Sequence, residues 1–147
     1  MAHTYVLNFV HLVFSTKDRL NQIAPGWEPE LHAHFAGIAR NKAFTIDCSG
    51  GTANHVHLLL RLPATIDLSS AVNALKANSS RWARTRSPLF AWQPGYSAFS
   101  VSYSGIAAVR TYIADQKQHH STRSYEDELR LLLTKHSIPF DERHLLA

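Results

Sequence analysis

An α+β fold, an antiparallel β-sheet carrying helices on one face, is what the sequence predicts, on three observations. Four segments are rich in β-branched and aromatic residues or alternate apolar with polar: residues 4–15, 44–48, 55–62 and 96–101. Two stretches between them repeat apolar residues at helical spacing, around residues 31–39 and 68–82. The resulting order is β-α-β-β-α-β, the split βαβ arrangement called ferredoxin-like.

The first strand, Thr4 to Ser15, reads as long and buried, and the stripe Leu31, Phe35, Ile38, Ala39 follows it. Pro29 sits near the start of that helix, where a missing N–H costs nothing. Phe44 to Cys48 alternates as a second strand, and Gly50-Gly51 offers a turn into the third, His55 to Leu62, which Pro63 stops. Leu68, Ala71, Val72, Leu75 and Trp82 line a second helix with Asp67 near its start, and Tyr96 to Val101 reads as the fourth strand. A helix from about Ser104, a plausible cap, to Lys117 comes next. Another follows Ser124, whose hydroxyl and Asp127 three residues on resemble a capping box. No repeat, low-complexity tract or linker interrupts the chain, so residues 1–147 read as one domain that includes the helices from about 104.

The 147 residues are 45% hydrophobic, enough for a sizeable core. No apolar run approaches the roughly 18 residues of a membrane span, and no basic region leads an apolar one at the N-terminus, so the cytoplasm is the default address. Cys48 has no intramolecular disulfide partner and reads as a small core residue rather than a nucleophile. The net charge of +4 permits a polyanionic partner. Its distribution says more: Lys76, Arg81, Arg84 and Arg86 stand together with no acid among them, and Lys17 and Arg19 follow the first strand. Phosphate contacts need such a face, and Trp82 or Trp92 offers a ring for base stacking. A solvated helix face is the plain alternative.

Asn54-His55-Val56-His57 is the most telling stretch. On a strand, residues i and i+2 face the same side with Cα atoms roughly 7 Å apart, so both imidazoles reach one metal ion. His32-Ala33-His34 has the same spacing on a helix, where the two rings diverge by about 200° and cannot chelate together. Two ligands hold a divalent ion poorly, so a third must come from elsewhere. Tyr112 and Gln116 are i and i+4 on a helix and border the stripe Ile106, Val109, Ile113. Gln116 offers a carbonyl oxygen to a metal, and a tyrosine beside a metal-bound phosphodiester can act as nucleophile. Read alone, the pair is an ordinary stripe edge.

Taken in order and spacing, these residues resemble the single-tyrosine HUH transposases of bacterial insertion sequences and their REP-associated relatives. The matching stretches are Val10 to Lys17, Asn54 to Leu59, Ala91 to Ser102, Tyr112 to Gln116 with His119-His120, and Asp141 to Arg143. The resemblance implies a ferredoxin-like domain, Mg²⁺ or Mn²⁺ held by His55, His57 and Gln116, and Tyr112 as nucleophile. It implies cleavage and rejoining of single-stranded DNA at hairpin-forming ends through a 5′-phosphotyrosine, by a homodimer in a bacterial cytoplasm, at the nucleoid. Asn54 departs from the pattern, standing where relatives often carry Asp; an amide accepts a hydrogen bond but supplies no charge. Two imidazoles also suit Mn²⁺ or Zn²⁺ better than Mg²⁺ at rest.

Other readings compete. A domesticated relative acting on chromosomal hairpins shares the chemistry. A non-catalytic nucleic-acid-binding module on the same fold has no chemical need for all four of His55, His57, Tyr112 and Gln116. A histidine phosphoesterase is disfavoured, because His55-Val56-His57-Leu58-Leu59-Leu60 lacks a third alternating histidine.

Overall fold

A computed structural model describes residues 2–147. Its elements are β1 (Phe9–Ser15), α1 (Glu28–Asn41), β2 (Thr45–Gly51), β3 (His55–Arg61), α2 (Leu68–Ala83), β4 (Ser97–Val101), α3 (Ile106–Ala114), α4 (Gln116–His119) and α5 (Tyr125–Lys135). The strands pair antiparallel in the order β2-β3-β1-β4, so the α+β, ferredoxin-like expectation holds.

The sheet is covered on both sides, and this positions the site. On one face Val10, Leu12 and Phe14 of β1 and Val56, Leu58 and Leu60 of β3 pack beneath Leu31 and Phe35 of α1 and Val72 and Leu75 of α2. On the other, Phe9 and Leu59 meet Ile106 and Ile113 of α3, while Val13 and Phe99 meet Tyr125, Leu129 and Leu133 of α5. Each fully buried side chain of this size contributes about 1.5–3 kcal/mol. Covering both faces buries β1 throughout and β3 up to Arg61, which is why both read as nearly continuous apolar runs. Alternation puts His55 and His57 on the α3–α5 face.

Several local expectations are corrected. The segment 4–7 is exposed rather than part of β1, with Tyr5 94% accessible. Its neighbours have run out: Phe9 pairs with Arg61 at the end of β3 and with Val101 at the end of β4. Gly50 and Gly51 are not the turn but the last residues of β2, and the connection is Thr52–Asn54. Gly50 serves a different purpose, because a Cβ there would stand 2.3 Å from the carbonyl oxygen of Ile113. Backbone of α3 therefore lies directly on β2, and only glycine leaves room. A bulge between Ile46 and Cys48 leaves Asp47 out of the ladder, and its carboxylate takes both Nε and Nη2 of Arg110 at 2.7 Å.

The expected helix 104–117 is two helices. Ser104 lies in a 3₁₀ turn, Tyr103–Gly105, and makes no capping bond to α3. The chain then leaves helical geometry at Asp115 (φ −96°, ψ 20°) before α4. The cap at Ser124 is as expected, accepting from Asp127 N, and Asp67, expected near the start of α2, caps it by accepting from Ser70 N. Among the described residues no helix is long and apolar enough to cross a membrane.

Candidate metal and tyrosine site

Neighbouring positions on β3 aim His55 and His57 into the space beneath α4 and α5, where both are fully buried. The break at Asp115 turns the chain so that Gln116, 1% exposed, points the same way. Its Oε1 lies 3.1 Å from His55 Nε2, while its Nε2 donates to Tyr112 O at 3.3 Å. Helix α5 adds Glu128, 1% exposed, whose Oε1 lies 2.9 Å from His57 Nε2, 3.5 Å from His55 Nε2 and 3.1 Å from His120 Nε2. The Tyr112 hydroxyl donates to the other oxygen, Oε2.

Outer partners orient the imidazoles. Asn54 Oδ1, 2.8 Å from His55 Nδ1, is an acceptor only, so His55 carries its proton on Nδ1, shared with Thr52 Oγ1 at 2.9 Å. His55 Nε2 is then a bare lone pair, facing the carbonyl oxygen of Gln116 and the carboxylate of Glu128. His57 Nδ1 lies 2.8 Å from His11 Nε2. His57 Nε2 is free to face an ion when Nδ1 carries the proton and donates to His11.

Burial keeps these rings neutral. Desolvation, then the mutual repulsion with His57, lowers the pKa of both His11 and His55 to about 3. Desolvation lowers that of His57 as well, against the pull of Glu128. Glu128 behaves in the opposite way: burial raises its pKa, but His120, His57 and Tyr112 outweigh it and hold the carboxyl ionised, well below its ordinary range. Burial first, and then the Glu128 carboxylate, raise the pKa of the Tyr112 phenol.

The donors suit a divalent cation. His55, His57, His120 and Glu128 each offer a ligand atom, all within 4.8 Å of one another. Lone pairs of neutral nitrogen and anionic oxygen facing each other repel unless a cation stands between them. His120 Nε2 supports this reading, because it is buried without a hydrogen-bond partner although Glu128 lies at 3.1 Å: the approach is close but off the line of a hydrogen bond.

A pH consequence follows. A histidine whose folded-state pKa is depressed contributes stability above its unfolded value of 6.5, and that contribution is lost as pH falls toward 3. Between pH 6.5 and 5 the loss is on the order of 1–2 kcal/mol for each of His11 and His55. Metal-free protein is therefore expected to melt several degrees lower at pH 5 than at pH 7, at about 2–4 °C per kcal/mol. A flat profile in a thermal scan would contradict the buried neutral rings.

Two cavities flank the cluster. One of about 500 Å³ lies between β4, α3 and α5 and reaches Tyr112 and His11; one of about 290 Å³ lies beside Thr52, Asn54 and His120. A larger cavity, about 540 Å³, runs between α1 and α2 and is lined by none of the donors.

The basic residues are dispersed. Arg81, Arg84 and Arg86 belong to the α2 side, across the sheet from the histidines. Arg86 pairs with Glu30 at 2.8 Å and lies over the Trp82 ring. Arg81 donates to Asn78 Oδ1 at 3.3 Å. Lys76 is half-buried, donates to the carbonyls of Gln93, Pro94 and Gly95, and has its pKa lowered by burial to about 8. Lys17 and Arg19 occupy a short turn after β1, where Arg19 pairs with Glu126 at 3.2 Å. Trp92 cannot stack on a base as it stands: it is a core residue, 8% exposed, donating to Ser79 Oγ. Trp82 is half-buried and stacks on His34, while His32 turns to Ser49 Oγ, so the helical His-x-His pair diverges. The Cys48 thiol is pushed up to about 11, by burial first and then by Asp47.

Sequence patterning gives Glu128 and His11 no role, and His120 enters only with the stretch that resembles the transposases. Glu128 had a signal: on α5, Tyr125, Glu128, Leu129, Leu132 and Leu133 run i, i+3, i+4, i+7, i+8, so an acid occupies a stripe position. Such a group is buried only with partners.

Residues 4–116 match the family model described as "Transposase IS200 like". The structure is similar to the "putative transposase from Deinococcus radiodurans R1", at 25% identity and a TM-score of 0.63 over 79% of this chain and 96% of that one. It is also similar to a REP-associated tyrosine transposase bound to a REP hairpin, at 18% identity and a TM-score of 0.62 over 82% of this chain and 73% of that one, a likeness of fold alone. No curated protein matches the chain. The family match takes in His55, His57, Tyr112 and Gln116 and stops before His120 and Glu128; on its extent, this chain belongs to the IS200-like transposase family.

Proposed function

We propose that this protein cleaves and rejoins single-stranded DNA at hairpin-forming ends through a covalent 5′-phosphotyrosine at Tyr112, with a divalent ion, Mg²⁺ or Mn²⁺, held by His55, His57 and Gln116. The observation that carries this reading is the bond from the Tyr112 hydroxyl to a carboxylate that also contacts both histidines. The half-buried nucleophile stands directly beside the buried candidate metal donors.

The chain's own groups supply most of the chemistry. Tyr112 Oη attacks the phosphorus, the bond from phosphorus to the 3′ oxygen breaks, and the DNA 5′ phosphate is left esterified to the phenol. The phenolic proton, which the hydroxyl points at the Glu128 carboxylate, is handed on to the departing 3′ oxygen, which becomes a hydroxyl, and Glu128 stays ionised. His55, His57 and Gln116 would hold the divalent ion, which when bound would polarise the phosphodiester and stabilise negative charge on the leaving oxygen. Attack by another 3′ hydroxyl reverses the sequence and frees Tyr112, so strands are rejoined without nucleotide hydrolysis. The ester conserves the bond energy.

The decisive experiment is incubation with labelled single-stranded hairpins and Mn²⁺, followed by a denaturing gel. A covalent protein–DNA band supports the reading; binding without any adduct across the panel favours the non-catalytic module.

The proposal gives Lys17, Arg19, Lys76, Arg81, Arg84 and Arg86 to the DNA backbone and includes a homodimer, which sedimentation reads directly. Neutralising Arg81, Arg84 and Arg86 together is expected to weaken hairpin binding and flatten its log–log salt dependence by about 0.7 for each phosphate no longer neutralised. An unchanged slope would mark these side chains as a solvated face.

A further inference from the structure

Helix α5 lies beyond the segment that matches the family model, yet it places the one carboxylate in the donor cluster. Stripe neighbours Tyr125, Leu129 and Leu133 are buried against the sheet and hold α5 down on its face. Glu128 is thereby stripped of water, which is costly for an ionised carboxylate unless positive charge or donated protons replace it. Its Oε2 has a donor in Tyr112. Its Oε1 faces His55, whose proton is committed to Asn54 on the other side of the ring, and His120, whose Nε2 has no hydrogen-bond partner. Only His57 is aligned to donate to it, and a histidine that binds metal through Nε2 has no proton there to give.

The spacing matches shared coordination. Oε1 lies 2.9, 3.1 and 3.5 Å from the Nε2 atoms of His57, His120 and His55. Ligands bound at about 2.0–2.2 Å to one ion stand about 3.0–3.5 Å from their neighbours around it.

We propose that Glu128 is the anionic ligand of the divalent ion, bound through Oε1, and that its Oε2 holds the Tyr112 hydroxyl beside that ion. The proposal rests on the reading that His55 and His57 hold a metal, and it deepens that reading in two ways. A carboxylate makes an otherwise neutral set of imidazoles and an amide oxygen anionic and more oxygen-rich, which favours Mn²⁺ and Mg²⁺ relative to Zn²⁺. It also makes α5, outside the family match, part of the reaction centre, with Glu128 positioning the nucleophile as well as the cation.

The test is Mn²⁺ binding to the full chain without DNA, by calorimetry and by electron paramagnetic resonance of the free ion. Glu128→Gln keeps shape and removes the charge. It is expected to weaken Mn²⁺ binding tenfold or more and to weaken Zn²⁺ binding by a smaller factor. Glu128→Asp keeps the charge but loses a methylene of reach, and is expected to weaken Mn²⁺ binding as well; it serves if the Gln variant fails to fold. Wild-type Mn²⁺ affinity in either folded variant overturns the proposal, as does an equal loss for both metals, which a merely structural role would produce. His57→Ala separates the two readings. Lost affinity there with intact affinity in Glu128→Gln sinks only the role of Glu128, whereas intact affinity in both sinks the metal site itself.

Discussion

Tyr112→Phe is expected to abolish the covalent protein–DNA adduct on a denaturing gel while leaving hairpin binding largely intact. Only one oxygen is removed, and the phenylalanine ring keeps the packing of Tyr112 against His119, His57 and His11, at centroid distances of 4.7, 5.7 and 6.0 Å. What is lost is the hydroxyl that faces Glu128. Leaving a buried acceptor without its donor costs about 1–3 kcal/mol, so a lowered melting temperature accompanies the loss without explaining it. An adduct that persists in this variant moves the nucleophile elsewhere. Tyr125 is then first in line, its ring 4.7 Å from that of His55, ahead of Tyr103, which is 78% exposed, and Tyr96.

His57→Ala is expected to remove cleavage altogether and to lower Mn²⁺ affinity by at least the 10–100-fold typical of losing even an outer-shell partner. His55→Ala should behave alike, since both rings are fully buried on one face of β3. Gln116→Ala should do less, because a neutral oxygen contributes less than an imidazole to the hold on a transition-metal ion. Deleting His57 also leaves His11 Nε2 and Glu128 Oε1 short of a partner. Calorimetry belongs beside a thermal scan of metal-free protein, so that a folding defect is not mistaken for a binding one. Unchanged Mn²⁺ affinity in a folded His57→Ala protein would remove the metal from the reading.

Local patterning carried the strands, the two helices of the first face and the cap at Ser124, because each depends on neighbours within a few residues. The pairing of His55 with His57 was legible for the same reason: strand geometry alone puts i and i+2 on one side. So was the i, i+4 relation of Tyr112 and Gln116, although not the break at Asp115 between them. How α3 is seated was not legible either. Gly50 admits its backbone onto β2, and the bulged Asp47 fastens Arg110. Glycines next to a strand end look like a turn until the helix that needs their empty side is in place.

The sequence by itself therefore determined the sheet and its helices and the shared face of the two histidines, through periodicity and spacing along the chain, while Tyr112 as candidate nucleophile came only from the resemblance to the transposases. Only the tertiary structure decided what stands opposite them. Glu128 is separated from His57 by 71 residues, His11 from His57 by 46, and neither separation has a period to read. Their meeting depends on strand register and on the burial of Tyr125, Leu129 and Leu133 against the far face of the sheet. Hydrophobic burial is non-directional, so a stripe on α5 announces that the helix packs but not where, and the place where it packs is what brings a carboxylate to the histidines and the tyrosine.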